Sequence, residues 1–444
     1  MPADRGGKRA KEMTAAEVAA LVRSGDWIDW GFGLTQPDKF DAALAARKDE
    51  LKSVRIRGCL SMRPRAVLEC DPHGDHFLWF NWHFSGYDRK QHDLGRCNYI
   101  PMNFGEVPDY YRRFIDPVDM VVIKTAPMDA DGYFNYGGAS TYCAAIIERA
   151  KCVVVEVSEY APHTYGEENA VHVSNVDYII NEGSDPLPEI KNPPVSEIDR
   201  KIAGLIAAEV EDGACLQIGI GGMPNAVCSM LKDAGVKDLG VHTEMLTDGI
   251  IDLYEAGLVT GARKKLNPGR MVYTFSAGLK RQYDAIHKNK DILSYAVDYT
   301  NLPHNVMQND RVVSINNTTQ MDLQGQAASE SSGHRHISGT GGQLQFVRGA
   351  YASKGGKSFI CMSSTYDKKG HPQSRIVLSL TPGNVVTTPR TDVMYVVTEY
   401  GIVNLKGKSV AERAMALIAI AHPVFREDLA RQARVQNLIP KGFH

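Results

Sequence analysis

One glutamate, Glu244, stands in the stretch GVHTEMLTDGIIDLYEAG (residues 240–257) between a short strand-like run and an amphipathic pattern carried by Met245, Leu246, Ile250, Ile251, Leu253 and Tyr254. That spacing predicts a strand-to-helix junction at Glu244, where α/β proteins hold reactive side chains. A helix-terminal glutamate is also favoured by the helix dipole alone, so the residue type leaves both roles open. Two glycine-rich stretches sharpen the question. IGIGGMPNAV places Gly219, Gly221 and Gly222 between a strand and a helix start, where unpaired backbone N–H groups can receive an anion or an oxygen with developing charge. SGTGGQLQFVRGAYASKGGKS (338–358) mixes Gly339, Gly341, Gly342, Gly355 and Gly356 with Arg348, Lys354 and Lys357, a composition suited to a phosphate-bearing or thioester ligand. Tight turns and solvated lysines would account for either stretch equally well. A carboxylate held opposite such loops can act as a nucleophile while the N–H groups stabilise the resulting oxyanion.

Other chemistries fail on spacing. The glycines do not form the Gly-x-Gly-x-x-Gly dinucleotide fingerprint, and SKGGKS is no phosphate-binding Walker loop, since Tyr351 occupies the position of its first glycine. His242 and Glu244 form the H-x-E that opens the zinc deaminase signature, but the required P-C-x-x-C is missing. The histidines of HGDH (73–76) and HRH (334–336) lack matching ligands at a recognised spacing, so no metal site is expected. Eight cysteines are scattered without a C-x-x-C, which reads as reduced core residues of a cytoplasmic protein. The formal net charge of −2 over 444 residues gives no support for nucleic acid or an anionic membrane as partner, and no run of membrane-spanning length is present.

The elements that must position these residues repeat. Near the N-terminus a helix-like AAEVAALVRSGD leads to the apolar WIDWGFG, then LTQP and a helix-like DKFDAALAARKDEL; from residue 198 the order recurs as IDRKIAGLIAAEVEDG, ACLQIGIG, GMP and NAVCSMLKDAG. Apolar β-branched runs such as DMVVIKTAP and KCVVVEVSEY belong in sheets covered on both faces. The expectation is an α/β protein of two related open domains with mostly parallel sheets, residues 1–185 and 195–444, joined through the polar NEGSDPLPEIKNPPVSE (181–197), with the active site at their interface.

LQIGIGGMPNAV, LGVHTEMLTDGIIDLYEAG, SGTGGQLQFVRGA and VVTEYGIVNLKGKSVAERAMALIAIAHPVFREDL together resemble the acetyl-CoA hydrolase/transferase family of CoA-transferases, the group of 4-hydroxybutyrate and butyryl-CoA:acetate CoA-transferases. FNWHFSGYDRK and APMDADGYFNYGG resemble its short-chain acyl members. The resemblance implies that Glu244 becomes a glutamyl-CoA thioester and that Gly219, Ile220, Gly221, Gly222 and Met223 form a CoA-contacting loop. It further implies that the Gly342 N–H lies near the thioester oxygen, that Asn301 is an active-site asparagine, and that Gly339 and Lys357 contact CoA. Gln345 stands where the family usually carries aspartate. The implied activity is transfer of CoA between a short-chain acyl-CoA and a carboxylate such as acetate, in a homodimer, with CoA as co-substrate and no tightly bound cofactor. Acyl-CoA hydrolysis, a sugar-phosphate isomerase on a related scaffold and a non-catalytic CoA-binding protein are the alternatives.

Overall fold

The computed structural model describes residues 10–219 and 221–443. The chain forms two compact units: the residues up to Lys191 together with Val272–Thr300, and Asn192–Met271 together with the chain from Asn301 onward.

In the first unit, Lys11–Glu12 (β1), Trp27–Phe32 (β2), Val54–Cys59 (β3), Phe77–Asn81 (β4), Cys97–Tyr99 (β5), Met120–Thr125 (β6), Cys152–Val157 (β7) and Tyr178–Ile180 (β8) form one sheet, in the order β1-β8-β7-β6-β2-β3-β4-β5. Every neighbouring pair is parallel. The side chains of β6 are buried along its whole length and those of β7 from Val153 onward, as their continuous apolar runs require when helices cover both faces. Helices Ala15–Ala19 (α1) and Lys39–Ala46 (α2) flank β2 in sequence. The core is a continuous apolar cluster that includes Val18, Trp30, Phe40, Trp79 and Val154.

In the second unit, Cys215–Ile218 (β9), Gly240–Leu246 (β10), Val312–Asn317 (β11), Lys357–Cys361 (β12), Tyr395–Thr398 (β13) and Gly401–Asn404 (β14) run in the order β10-β9-β11-β12-β13-β14. Its strands are parallel except β14, which returns antiparallel to β13. The helices that matter for the site are Glu197–Ala207 (α3), Gly222–Asp233 (α4), Asp248–Glu255 (α5) and Gln343–Ala352 (α6). Ser196 caps α3 in a reciprocal box with Asp199.

The repeated helix-strand-turn-helix order is present as α1-β2-α2 and α3-β9-α4. The topologies match as well: β8-β7-β6-β2-β3 in the first unit has the order of β13-β12-β11-β9-β10 in the second. In each, the first strand of the repeat has its successor on one side and a later strand on the other. It is at the carboxyl ends beside such a reversal of strand order that open α/β sheets receive ligands.

The first change of unit, Lys191 to Asn192, falls within the polar segment 181–197. Within the stretch expected as the second domain, 195–444, residues 272–300 group with the first unit. Backbone bridges tie them there, Ala139 to Phe275, Thr141 to Ala296 and Tyr165 to Leu293, with the Ser140 and Ser294 hydroxyls 2.7 Å apart. Pairings across more than a hundred residues leave no trace in local periodicity, which is why the excursion could not be read from the sequence.

Candidate active site

Glu244 lies on β10, two residues before its end, and it is half-buried where the other residues of that strand are fully buried. The apolar Met245 and Leu246, expected to open a helix, instead complete the strand, and α5 begins at Asp248. The first-turn acid that meets the helix dipole is therefore Asp248, and the dipole does not account for Glu244. The register pairs Cys215 with Gly240 and Leu216 with Val241, so counting along both strands brings Glu244 level with Gly219, at the carboxyl edge beside the strand-order reversal.

Two donors hold the carboxylate. The fully buried Asn301 donates its Nδ2–H to Glu244 Oε2 at 2.6 Å, and the Gly342 N–H supplies a second hydrogen bond. Burial outweighs both and lifts the Glu244 pKa to about 7; no ionised neighbour is among the causes of the shift. Near neutral pH this carboxylate is about half ionised and is more basic than a surface glutamate. Gly342 has φ −98°, which any residue can adopt, so its lack of a side chain serves space and not backbone freedom. A Cβ there would stand 2.1 Å from Glu244 Oε2 and 2.3 Å from Asn301 Nδ2. Gly342 caps α6 directly after Gly341, which does require a left-handed conformation (φ +58°).

The other glycine loop leaves β9. Gly221, with φ +132°, precedes α4, and Gly222 opens it close against Asp199, whose Oδ2 a Cβ would meet at 2.9 Å. Met223 is buried in the first turn, and Gly219 joins strand to loop. Ile220 lies outside the described residues.

The expected cluster around residues 338–358 divides. Gly339 and Gly342 sit before α6, but Lys354, Gly355, Gly356 and Lys357 follow it, and this ten-residue helix spans about 15 Å. Lys357 begins β12, level with Val313 near the amino end of β11, so it is at the opposite edge of the sheet from Glu244. Its ammonium is committed to the Glu209 carbonyl and carboxylate at 3.0 Å and to Glu211 at 3.7 Å. Arg348 pairs with Asp392. Lys357 is therefore set apart from Glu244, with a whole helix between it and Gly342. Gln345 is buried in the first turn of α6.

Some polar residues of this edge had gone unnoticed. Gln217 Oε1 accepts from Ser314 Oγ at 2.7 Å and from Asn316 Nδ2 at 3.1 Å across β9 and β11. The only sequence signal was a polar residue inside an apolar strand, as in LQI and VSIN. Glu330, in AASESSGHRH, is buried and gave no signal at all.

Comparison with known proteins fits this geometry. The model of the acetyl-CoA hydrolase/transferase N-terminal domain matches residues 7–191, and that of the C-terminal domain matches residues 278–433, which contain Asn301 and Gly342. A butyryl-CoA:acetate CoA-transferase of Anaerostipes caccae is 47% identical over 427 residues, 95% of this chain and 96% of its own. A 4-hydroxybutyrate coenzyme A transferase of Clostridium kluyveri is 39% identical over 424 residues, 96% of this chain and 97% of its own. Among solved structures, RipA from Yersinia pestis superimposes with a TM-score of 0.88 at 38% identity, covering 97% of this chain and 98% of that one.

Proposed function

The chain belongs to the acetyl-CoA hydrolase/transferase family, and from that premise we propose that it is a CoA-transferase exchanging CoA between a short-chain acyl-CoA, such as butyryl-CoA, and a carboxylate acceptor such as acetate. Relatives matched along nearly their whole length carry transferase names, which favours an acid over water as acceptor. The observation that carries the mechanism is the Glu244 carboxylate at the carboxyl edge of the sheet, with the Asn301 amide and the Gly342 N–H directed at its oxygen.

In the forward half-reaction a Glu244 oxygen attacks the thioester carbonyl, the C–S bond breaks, and CoA leaves as thiolate beside a mixed anhydride of Glu244 and the acyl group. The thiolate then attacks the Glu244 carbonyl carbon. The first acid departs as its carboxylate, leaving a glutamyl-CoA thioester. The acceptor carboxylate runs the same steps backwards, so no proton, metal or redox equivalent is consumed. Each attack places negative charge on a carbonyl oxygen, and fixed N–H donors of the kind that hold Glu244 are suited to receive it. The pantetheine arm and nucleotide of CoA supply remote binding energy that positions the reacting end. We assign CoA contacts to Gly219, Gly221, Gly222, Met223 and Gly339, on their place at this edge and the family resemblance, and to Ile220 on the resemblance alone. The same resemblance supports a homodimer without a tightly bound cofactor, and the free cysteines suit a reducing cytoplasm.

Product analysis tests the function. Butyryl-CoA with acetate should yield acetyl-CoA and butyrate in equal amounts, while butyryl-CoA alone should release no more butyrate than about one equivalent of enzyme and leave the CoA bound to it. Sustained release of CoA without acetate would make the enzyme a hydrolase.

A further inference from the structure

The turn that delivers the Gly342 N–H is fastened to the protein by one buried acid. Glu330 is only 3% exposed. Its main-chain carbonyl accepts from the N–H groups of Ile337 (2.8 Å) and Ser338 (3.3 Å). Its carboxylate Oε2 accepts the Thr340 hydroxyl at 3.0 Å and the Thr387 hydroxyl at 2.8 Å. Thr387 in turn accepts the Ser329 N–H at 2.9 Å, and Gln343 donates to the Ser329 and Thr388 hydroxyls at 3.0 and 3.1 Å. The segment 337–343 is thus gripped on both sides of Gly342, and Thr340, two residues before it, is held by the only charged group in the grip.

Burying a carboxylate against hydroxyl donors is a costly arrangement, and a neutral side chain would fill the space at lower cost. What the charge adds is strength and direction: hydrogen bonds to an ionised acceptor are roughly twice as strong as neutral ones and fix the hydroxyl rotor. Gly341, left-handed, and Gly342, with no side chain, give the turn little intrinsic stiffness. Without an external anchor, the N–H aimed at Glu244 would have a range of positions, in a site where about 1 Å of misplacement can cost 100-fold.

We propose that Glu330 is a positioning residue of the transfer reaction, fixing the turn through Thr340 so that the Gly342 N–H stays directed at the Glu244 carboxylate. This rests on Glu244 being the nucleophile, and the tests separate the two claims. Thr340→Val removes only the hydroxyl at constant shape. It should leave the KM for acyl-CoA within about twofold and lower kcat by roughly 10- to 100-fold, within the loss that follows complete removal of an oxyanion donor. Thr340→Ser, which keeps the hydroxyl, should restore most of the rate. Glu330→Gln should behave as Thr340→Val does, and the double variant should be no worse than the more impaired single one.

The deciding readout is the ionisation of Glu244. Its two hydrogen bonds, from Asn301 and Gly342, both favour the carboxylate, and no ionised side chain contributes to its shift. A loosened Gly342 N–H therefore moves the acid limb of the rate profile to higher pH in Thr340→Val and Glu330→Gln. A residue needed only for folding would lower the melting temperature and leave that limb in place. Carbon NMR of the Glu244 carboxyl in selectively labelled protein measures the same ionisation with no turnover. An unmoved Glu244 titration in folded Thr340→Val and Glu330→Gln, or additive rate losses in the double variant, would overturn the proposal. A wild type that transfers no CoA would instead refute the function itself.

Discussion

Replacing Glu244 by glutamine should make the protein more stable, and only above mildly acidic pH. The carboxyl titrates at about 7 in the folded protein against an ordinary value of 4.5. Each pKa unit corresponds to about 1.4 kcal/mol, so ionising Glu244 in the fold costs about 3 kcal/mol. The sign follows from a raised folded pKa. The stabilising contribution of the protonated form is fully present below about pH 4.5, falls as pH rises, and is gone above about 7. Glutamine keeps the shape, can still accept from Asn301 through its carbonyl, and never ionises. Wild type and Glu244→Gln should therefore unfold at nearly the same temperature at pH 4.5. By pH 8 the variant should lead by up to about 3 kcal/mol, several degrees at roughly 2–4 °C per kcal/mol for a unit of this size. Thermal unfolding of both proteins across pH 4.5–8.5 in one buffer series measures the difference. A constant gap across that range, or a variant less stable at pH 8, would refute the view that Glu244 is held ionised against its environment.

Three further outcomes follow from the same site. If the ionised carboxylate is the attacking group, kcat/KM for the acyl-CoA should fall tenfold per pH unit below about 7 and level off above it; a limb near 4.5 would show an unperturbed glutamate. Gly342→Ala inserts a methyl 2.1 Å from Glu244 Oε2 and 2.3 Å from Asn301 Nδ2, so it should abolish transfer, by at least about 100-fold, in a protein that circular dichroism shows to be folded. Lys357→Ala should leave the KM for acyl-CoA unchanged and cost at most about 1 kcal/mol in stability, because this lysine serves Glu209 at the far edge of the sheet; a tenfold rise in KM would restore it to the site.

The fold was legible wherever local pattern decides structure. Continuous apolar runs such as MVVIKT and CVVVEV became central parallel strands, and the repeated helix-strand-turn-helix order proved to be a repeat of topology as well. Local pattern failed at Met245 and Leu246, whose apolar character suits a strand and an amphipathic helix equally until pairing with β9 decides. It is silent on residues 272–300, some of whose partners lie more than a hundred positions away. Among the site residues, Glu244, Asn301 and Gly342 were identified by motif resemblance, and the structure brings those three together from three separate stretches of chain. Composition gave no sign that Lys357 stands apart from Gly342, because a glycine- and lysine-rich stretch looks continuous in sequence while a helix carries its two ends about 15 Å apart. Glu330 was invisible for the opposite reason. A lone acid among serines has no periodicity or motif, and its meaning depends on which hydroxyls the fold brings to it.

The central claim is that CoA passes through a covalent bond to Glu244. The most direct test is to incubate the protein with butyryl-CoA and no acceptor, reduce with borohydride, digest, and weigh the peptides. Borohydride reduces a glutamyl thioester to a primary alcohol, with CH2OH in place of the side-chain carboxyl and CoA released as the thiol, and that mass change should fall on the peptide containing HTEMLTDG, at Glu244, and be absent from Glu244→Gln. Modification of another residue, or a Glu244→Gln protein that still transfers CoA, would contradict the account.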